Sequence, residues 1–367
     1  MARWQPARSG VQATRAWQLL VMGSVVLILS ISVLAGSFEQ RRSTILLGTA
    51  VSRSALDAPA YREALHTHFT LVTTENELKF DQVQPEQGRF DFTAADAIVE
   101  FAREHGQQVR GHTLISHAQL PAWLNEGEFT RTQLIKIMEE HITTTISRYR
   151  GRIAMWDVVN EPLNSDGTLR ESLWLRTIGP EYIEIALRSA RQADPSAFLY
   201  INEYGTEIEG LKSDGYLRLA YTLLSHAVPL DGVGFQMHLT LEESPNPSAL
   251  KQIMKQFAAL KLRIDITEMD VQLQRGVGTH AERLAAQANM YREIARICVE
   301  EPACMVFSVW GVNDAHSWIP EHTGNPDSPL LLDEAYQPKP AFDAVMRVFG
   351  RVISPLSSIS IHPDTTN

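Results

Sequence analysis

Two glutamates stand out by type and setting. Glu161 follows the run Met155 to Val159 within Asn160-Glu161-Pro162, and Glu268 follows Arg263 to Thr267 and precedes Met269-Asp270. Each closes a short apolar run of β type, where a carboxylate can project from a strand end. Cleaving a glycosidic bond takes two such groups, one to protonate the departing oxygen and one to attack, or activate water, from the opposite face. Retaining chemistry needs them about 5 to 5.5 Å apart and inverting chemistry roughly 6.5 to 9.5 Å, which sequence does not measure. Taken singly, Asn-Glu-Pro also reads as a turn, and a glutamate after Ile-Thr as a solvated rim.

A scaffold must bring the pair together, and the chain offers one. Short apolar runs alternate with helix-period stretches: Ile45 to Ala50, Leu71 to Thr74, Val109 to Leu114, Met155 to Val159, Phe198 to Asn202, Val233 to His238, Arg263 to Thr267 and Val306 to Trp310. That repeated β/α alternation, with no Pro/Ser-rich linker, predicts one (β/α)8 TIM barrel of class α/β. The stripe Leu134, Ile137, Met138, Ile142, Ile146 and Tyr149 predicts a helix packed on it, and Thr93 with Asp96 predicts a capping box. In such a barrel the carboxyl ends of the strands build the site. Those ends are polar and aromatic: Glu75-Asn76-Glu77-Leu78-Lys79, His112 with Ser116 and His117, Asn160-Glu161, Asn202-Glu203-Tyr204, Gln236-Met237-His238, Glu268-Met269-Asp270 and Trp310-Gly311-Val312. Such a cleft suits sugars, whose hydroxyls take hydrogen bonds and whose apolar faces stack on indole.

A formal net charge of -10 over 367 residues argues against a nucleic-acid partner, which needs clustered cations. The 12 histidines include no His-x-x-x-His pair with an acidic partner, so no catalytic metal is expected.

At the amino terminus, Arg3, Arg8 and Arg15 precede a largely apolar stretch from Ala16 to Phe38. This reads as an export signal within residues 1–40, either cleaved near Val33-Leu34-Ala35 or retained as a membrane anchor through residues 16–38. Either outcome puts the catalytic domain, residues 41–350, outside the cytoplasm, as a secreted, periplasmic or anchored protein. Residues 351–367 read as a flexible tail. Cys298 and Cys304 flank a Pro-containing turn and could bridge in an exported protein, or remain free thiols.

The ordered motifs TENELKFD (Thr74 to Asp81), VRGHTLISH (Val109 to His117), WDVVNEPL (Trp156 to Leu163), YINEYG (Tyr200 to Gly205), GFQMHL (Gly234 to Leu239), ITEMDV (Ile266 to Val271) and WGVNDAHSW (Trp310 to Trp318) resemble glycoside hydrolase family 10, the endo-1,4-β-xylanases. LLLDEAYQPKPAF (Leu330 to Phe342) resembles that family's closing segment. The resemblance implies a TIM barrel, net retention, no cofactor and a polysaccharide substrate, xylan or a related β-glycan, with a monomeric catalytic domain expected. It implies Glu161 as acid/base and Glu268 as nucleophile. Asn160 would hold the sugar 2-hydroxyl, His238 and Asp270 would position Glu268, and Gln236 would sit between the carboxylates. Glu75, Asn76, Lys79, His112 and Gln119 would bind sugar hydroxyls, Trp310 would form a floor and Trp318 a wall, with Tyr204 counted among the sugar-binding positions. Three residues depart from the pattern: Ser116 and Phe80 stand where tryptophan is usual, and Gly205 where asparagine is. A hydrolase of β-glucan or decorated xylan, and a non-catalytic carbohydrate-binding barrel, are the alternatives.

Overall fold

The computed structural model describes residues 45–350. Its strands are β1 (Leu46–Val51), β2 (Leu71–Thr74), β3 (Gln108–Ser116), β4 (Met155–Asn160), β5 (Phe198–Glu203), β6 (Gly232–Phe235), β7 (His238–Thr240), β8 (Arg263–Gln272) and β9 (Cys304–Val309). All ladders are parallel. β1 pairs with both β2 and β9, and β6 with β8, so eight strands close into a (β/α)8 barrel while β7 flanks the far end of β8. The principal helices that follow the barrel strands are α1 (Pro59–His68), α2 (Thr93–Glu104), α3 (Arg131–Tyr149), α4 (Tyr182–Ala193), α5 (Leu211–Ser225), α6 (Pro247–Ala259), α7 (His280–Glu300) and α8 (Pro340–Phe349).

The apolar runs are legible because a parallel strand in such a barrel is covered on both faces. Every residue of β4 is buried. The α3 stripe packs inward as expected, with all six of its apolar residues buried, and the helix opens on a true capping box between Thr130 and Gln133. The box predicted at Thr93 does not form. Thr93 is already the first helical residue, its N–H is taken by Asp91, and Asp96 instead receives Arg148 and the Tyr149 hydroxyl.

Two strands differ instructively from their sequence reading. The sixth run stops at Phe235, because Met237 takes a left-handed φ of 65°, and His238 starts β7 opposite Asp270. β8 does not stop at Thr267. It runs on to Gln272 with a register shift against β9 between Ile266 and Met269, so Glu268 sits where the strand leaves the barrel wall.

Inside the barrel, the buried Arg110 donates to Asp157 from Nε (3.0 Å) and to Asp265 from Nη1 (2.9 Å), and its guanidinium lies 4.4 Å from the Tyr200 ring centroid. A buried cation is tolerable when it is paired and hydrogen-bonded, and each of the three guanidinium nitrogens donates to one of these carboxylates. Asp157 is shared with His112 Nδ1 at 3.0 Å, which ties this ionic layer to the mouth above. Cys298 of α7 and Cys304 of β9 form a disulfide. The predicted amino-terminal apolar segment and carboxyl-terminal tail lie outside the described residues. Among the described residues, no helix is long and apolar enough to cross a membrane.

Candidate active site

Glu268 is buried and held from three sides. Asn202 Nδ2 donates to Oε1 at 2.7 Å, His238 Nε2 lies 3.1 Å from Oε2, and His112 Nδ1 stands 3.8 Å from Oε1. Burial alone would raise the carboxyl pKa, but the adjacent His112 and His238 outweigh it and hold Glu268 below the usual carboxylate range. His238 Nδ1 faces Asp270 at 2.9 Å, so both ring nitrogens point at carboxylates. Only an imidazolium can donate to both. Burial pulls the His238 pKa down, yet Asp270 and Glu268 push it well above its ordinary value. Trp318 Nε1 donates to the same Asp270 oxygen at 2.8 Å, completing an ordered line from the aromatic wall to Glu268.

Glu161 stands immediately beyond β4 in a different setting. Its side chain keeps 24% of its surface exposed. Gln236 Nε2 donates to its Oε1 at 3.2 Å and also to Asn160 Oδ1 at 3.2 Å, while His117 Nδ1 is 3.7 Å from Oε2. Its backbone has a left-handed φ of 54°, a conformation sparsely populated by residues with a Cβ. Asn202 links the two halves, since its Nδ2 also donates to Asn160 Oδ1 at 2.9 Å and its Oδ1 accepts from Thr267 at 2.8 Å.

These groups open on a cavity of about 470 Å³ lined by Glu161, Glu268, Asn160, Gln236, His238, His112, Lys79, Gln119, Tyr204, Trp310 and Trp318, together with Thr113, Ser116, Ala118 and His322. Glu75, Asn76 and Asp270 are not in that lining. Asp270 sits behind His238. Asn76 sits behind the wall, its Oδ1 accepting from Lys79 Nζ at 2.9 Å and Gln119 Nε2 at 3.2 Å. Burial and the nearby Glu77 raise Glu75 to about 7 against the opposing Lys79, and burial pulls Lys79 down. The Trp310 ring meets the His112 ring edge-on with centroids 5.2 Å apart.

A family model for glycosyl hydrolase family 10 matches residues 37–348. The chain belongs to that family. It is similar to endo-1,4-beta-xylanase B of Thermotoga neapolitana, 42% identical over 289 residues, covering 79% of this chain and 83% of the relative. It is 36% identical to endo-1,4-beta-xylanase A of Phanerodontia chrysosporium, over 86% of this chain and 76% of the relative. Among solved structures, native xylanase 10B from Thermotoga maritima superposes with a TM-score of 0.82 at 39% identity, covering 85% of this chain and 97% of that one. Xylanase 10B from Thermotoga petrophila RKU-1 in complex with xylobiose gives 0.82 at 38% identity, covering 85% and 96%. This chain is thus an O-glycoside hydrolase.

Set in family 10, the departures separate by location. Ser116 lines the cleft beside Thr113 and Ala118, a wall of small side chains, and its carbonyl accepts from the buried Trp174 indole at 2.8 Å. Phe80 is buried away from the cleft and stacks on His141 at 3.7 Å. Gly205 takes a φ of 69°, and a Cβ there would meet only the Lys212 stem at 3.8 Å. The sequence places Asn202 among the polar strand ends but assigns it no role; the structure makes it the link between the two glutamates. Its position at the end of β5, between the elements carrying the two glutamates, was the available signal.

Proposed function

We propose that this family 10 hydrolase is a retaining endo-1,4-β-xylanase with Glu268 as nucleophile and Glu161 as acid/base. The observation carrying this reading is the contrast between the two carboxyl groups. Glu268 is buried, ionised and oriented on both oxygens, as an attacking group requires. Glu161 is partly exposed and lightly held, free to pass a proton to oxygen and take one from water. That the similar curated proteins are named endo-1,4-beta-xylanases, and that a similar xylanase 10B is in complex with xylobiose, supports xylan as the substrate.

In the first step Glu268 forms a bond to the anomeric carbon as the bond to the leaving oxygen breaks, and Glu161 gives that oxygen its proton. The product is a glycosyl ester on Glu268. In the second step Glu161 takes a proton from water, whose oxygen attacks the anomeric carbon and releases Glu268 as carboxylate. Asn160 and the Gln236 amide lie between the two groups, where the sugar 2-hydroxyl and ring would rest. Trp310 and Trp318 supply stacking faces, and Lys79, His112, Gln119 and Tyr204 supply polar contacts. Glu268→Ala should abolish turnover, and azide with an activated xylobioside should restore part of it as the α-glycosyl azide. A folded variant that azide leaves inactive would remove Glu268 from the nucleophile role.

A second reading concerns the substrate. The small side chains of Ser116, Thr113 and Ala118 leave room along one cleft wall, which favours a decorated xylan or another β-glycan. Comparing rates on xylo-oligosaccharides, glucuronoxylan, arabinoxylan and β-glucan tests it, and a normal rate on plain xylan alone sinks it. The basic and apolar segment at residues 1–40 supports export, anchored or cleaved; mass spectrometry of the mature amino terminus distinguishes the two.

A further inference from the structure

The segment Glu161-Pro162-Leu163 carries the proposed acid/base on a left-handed residue, and its backbone partners are unusually concentrated. Arg170 Nε donates to the Glu161 carbonyl at 2.9 Å, the Arg170 N–H to the Pro162 carbonyl at 2.6 Å, and Arg170 Nη2 to the Leu163 carbonyl at 3.0 Å. One residue therefore serves all three acceptors. The donors go elsewhere: the Glu161 N–H to the Asn202 carbonyl at 2.8 Å and the Leu163 N–H to Glu203 Oε2 at 2.9 Å, while Pro162 has none. Arg170 Nη2 also donates to the Tyr204 hydroxyl at 2.8 Å, and Tyr204 lines the cleft. A tight hairpin returns Arg170 to this place. Leu163 bridges Leu169, and the tip at Gly167 seats against α5 so closely that a Cβ would lie 2.2 Å from the Leu211 carbonyl oxygen.

The Glu161 carboxyl itself has few side-chain contacts, namely Gln236 at 3.2 Å and His117 at 3.7 Å. Its location accordingly depends on its backbone, and that backbone depends on Arg170. We propose that Arg170 is a positioning residue that clamps the Glu-Pro-Leu turn, keeps Glu161 in its left-handed conformation, and so aims the acid/base at the leaving oxygen. This rests on the reading of Glu161 given above. The planar fork matters more than the charge, because a single ammonium cannot span separate carbonyls in this geometry. Without the fork, the turn relaxes toward negative φ and swings the Cα–Cβ bond of Glu161 away from the cleft.

A misaimed acid harms substrates in proportion to their need for protonation. The test compares kcat/KM of Arg170→Gln and Arg170→Lys on phenyl β-xylobioside, whose leaving group needs a proton, and on 2,4-dinitrophenyl β-xylobioside, whose leaving group does not. Both variants should lose about 10²-fold on the phenyl substrate, the scale of a misplaced catalytic group, and change little on the dinitrophenyl substrate. Equal losses on both substrates, or full recovery in Arg170→Lys, would overturn the clamp, the latter by showing that charge alone suffices. Thermal unfolding accompanies both variants, and failure of both to fold would also overturn it by making Arg170 a residue of the fold at large. Glu161→Gln serves as the reference. If it shows no leaving-group dependence, the assignment of Glu161 fails; if it does and the Arg170 variants do not, only the clamp fails.

Discussion

Replacing Asn202 with alanine tests whether Glu268 is oriented by the link between the two halves of the site. The change removes the 2.7 Å donor to Glu268 Oε1, the 2.9 Å donor to Asn160 Oδ1 and the acceptor for the Thr267 hydroxyl. A hydrogen bond to an ionised carboxylate contributes about 1.5 to 3 kcal/mol, and one pKa unit corresponds to about 1.4 kcal/mol. Loss of the Asn202 amide should therefore move the Glu268 pKa upward from its lowered position. Because Glu268 attacks as the carboxylate, the acid limb of kcat/KM should move up with it. If the same interaction aligns the attacking oxygen, the plateau should fall by about 10- to 100-fold. The linkage has a definite sign. A depressed carboxyl pKa stabilises the fold above the unfolded value and loses that contribution as pH falls through the folded value, so the variant should lose less stability on acidification. Asn202→Asp, which substitutes a negative charge for the donor, should move the limb further. The assay is kcat/KM against pH on an aryl xylobioside, with thermal unfolding in parallel. An unmoved acid limb in a folded Asn202→Ala protein would refute the reasoning.

Further outcomes follow from other residues. Glu75 is raised to about 7, so its stabilising contribution is full at low pH and declines as pH rises toward that value. Tm should decline over that interval, and Glu75→Gln should flatten the decline; an unchanged profile in the variant would contradict the raised value. His238, raised well above its ordinary value, contributes stability in full below its unfolded pKa and loses it only as pH climbs through the raised one. Its imidazole resonances should show no deprotonation around neutrality, and a midpoint near the ordinary histidine value would contradict the ion triplet. Removing the Cys298–Cys304 bridge as a double serine variant should cost about 2 kcal/mol by the loop-closure relation for so short a loop, read as a lower Tm without loss of kcat.

The barrel was legible in the sequence because its cause is local. A strand covered on both faces is mostly apolar, and Met155 to Asn160 is buried from end to end, its one charge, Asp157, being paired inside the barrel with Arg110. Glu161 and Glu268 were legible for a related reason, since a charge closing such a run has to emerge at the mouth. Where the reading failed, the cause was non-local. Nothing adjacent to His238 announces that Met237 turns the chain and ends the strand at Phe235; that His238 works with Asp270, 32 residues away, came only from the family resemblance. Nor does the helix start near Thr93 reveal that Asp96 is engaged by Arg148 from another helix.

The same distinction governs the departures from the family pattern. Phe80 and Ser116 look equivalent on paper, each a tryptophan lost beside a cleft motif, yet one ring is buried against His141 and the other side chain faces the cavity. Trp174 touches both neighbourhoods, with its ring 5.9 Å from Phe80 and its indole N–H on the Ser116 carbonyl. Reinstating tryptophan at 80 should therefore press on His141 and Trp174 and appear as a change in Tm. Reinstating it at 116 should leave Tm nearly unchanged and alter KM and the ranking of plain against decorated xylans. A KM response at 80 with none at 116 would mean that the cleft wall is set from beneath, through Trp174, and that the small side chains facing the cavity do not decide the substrate.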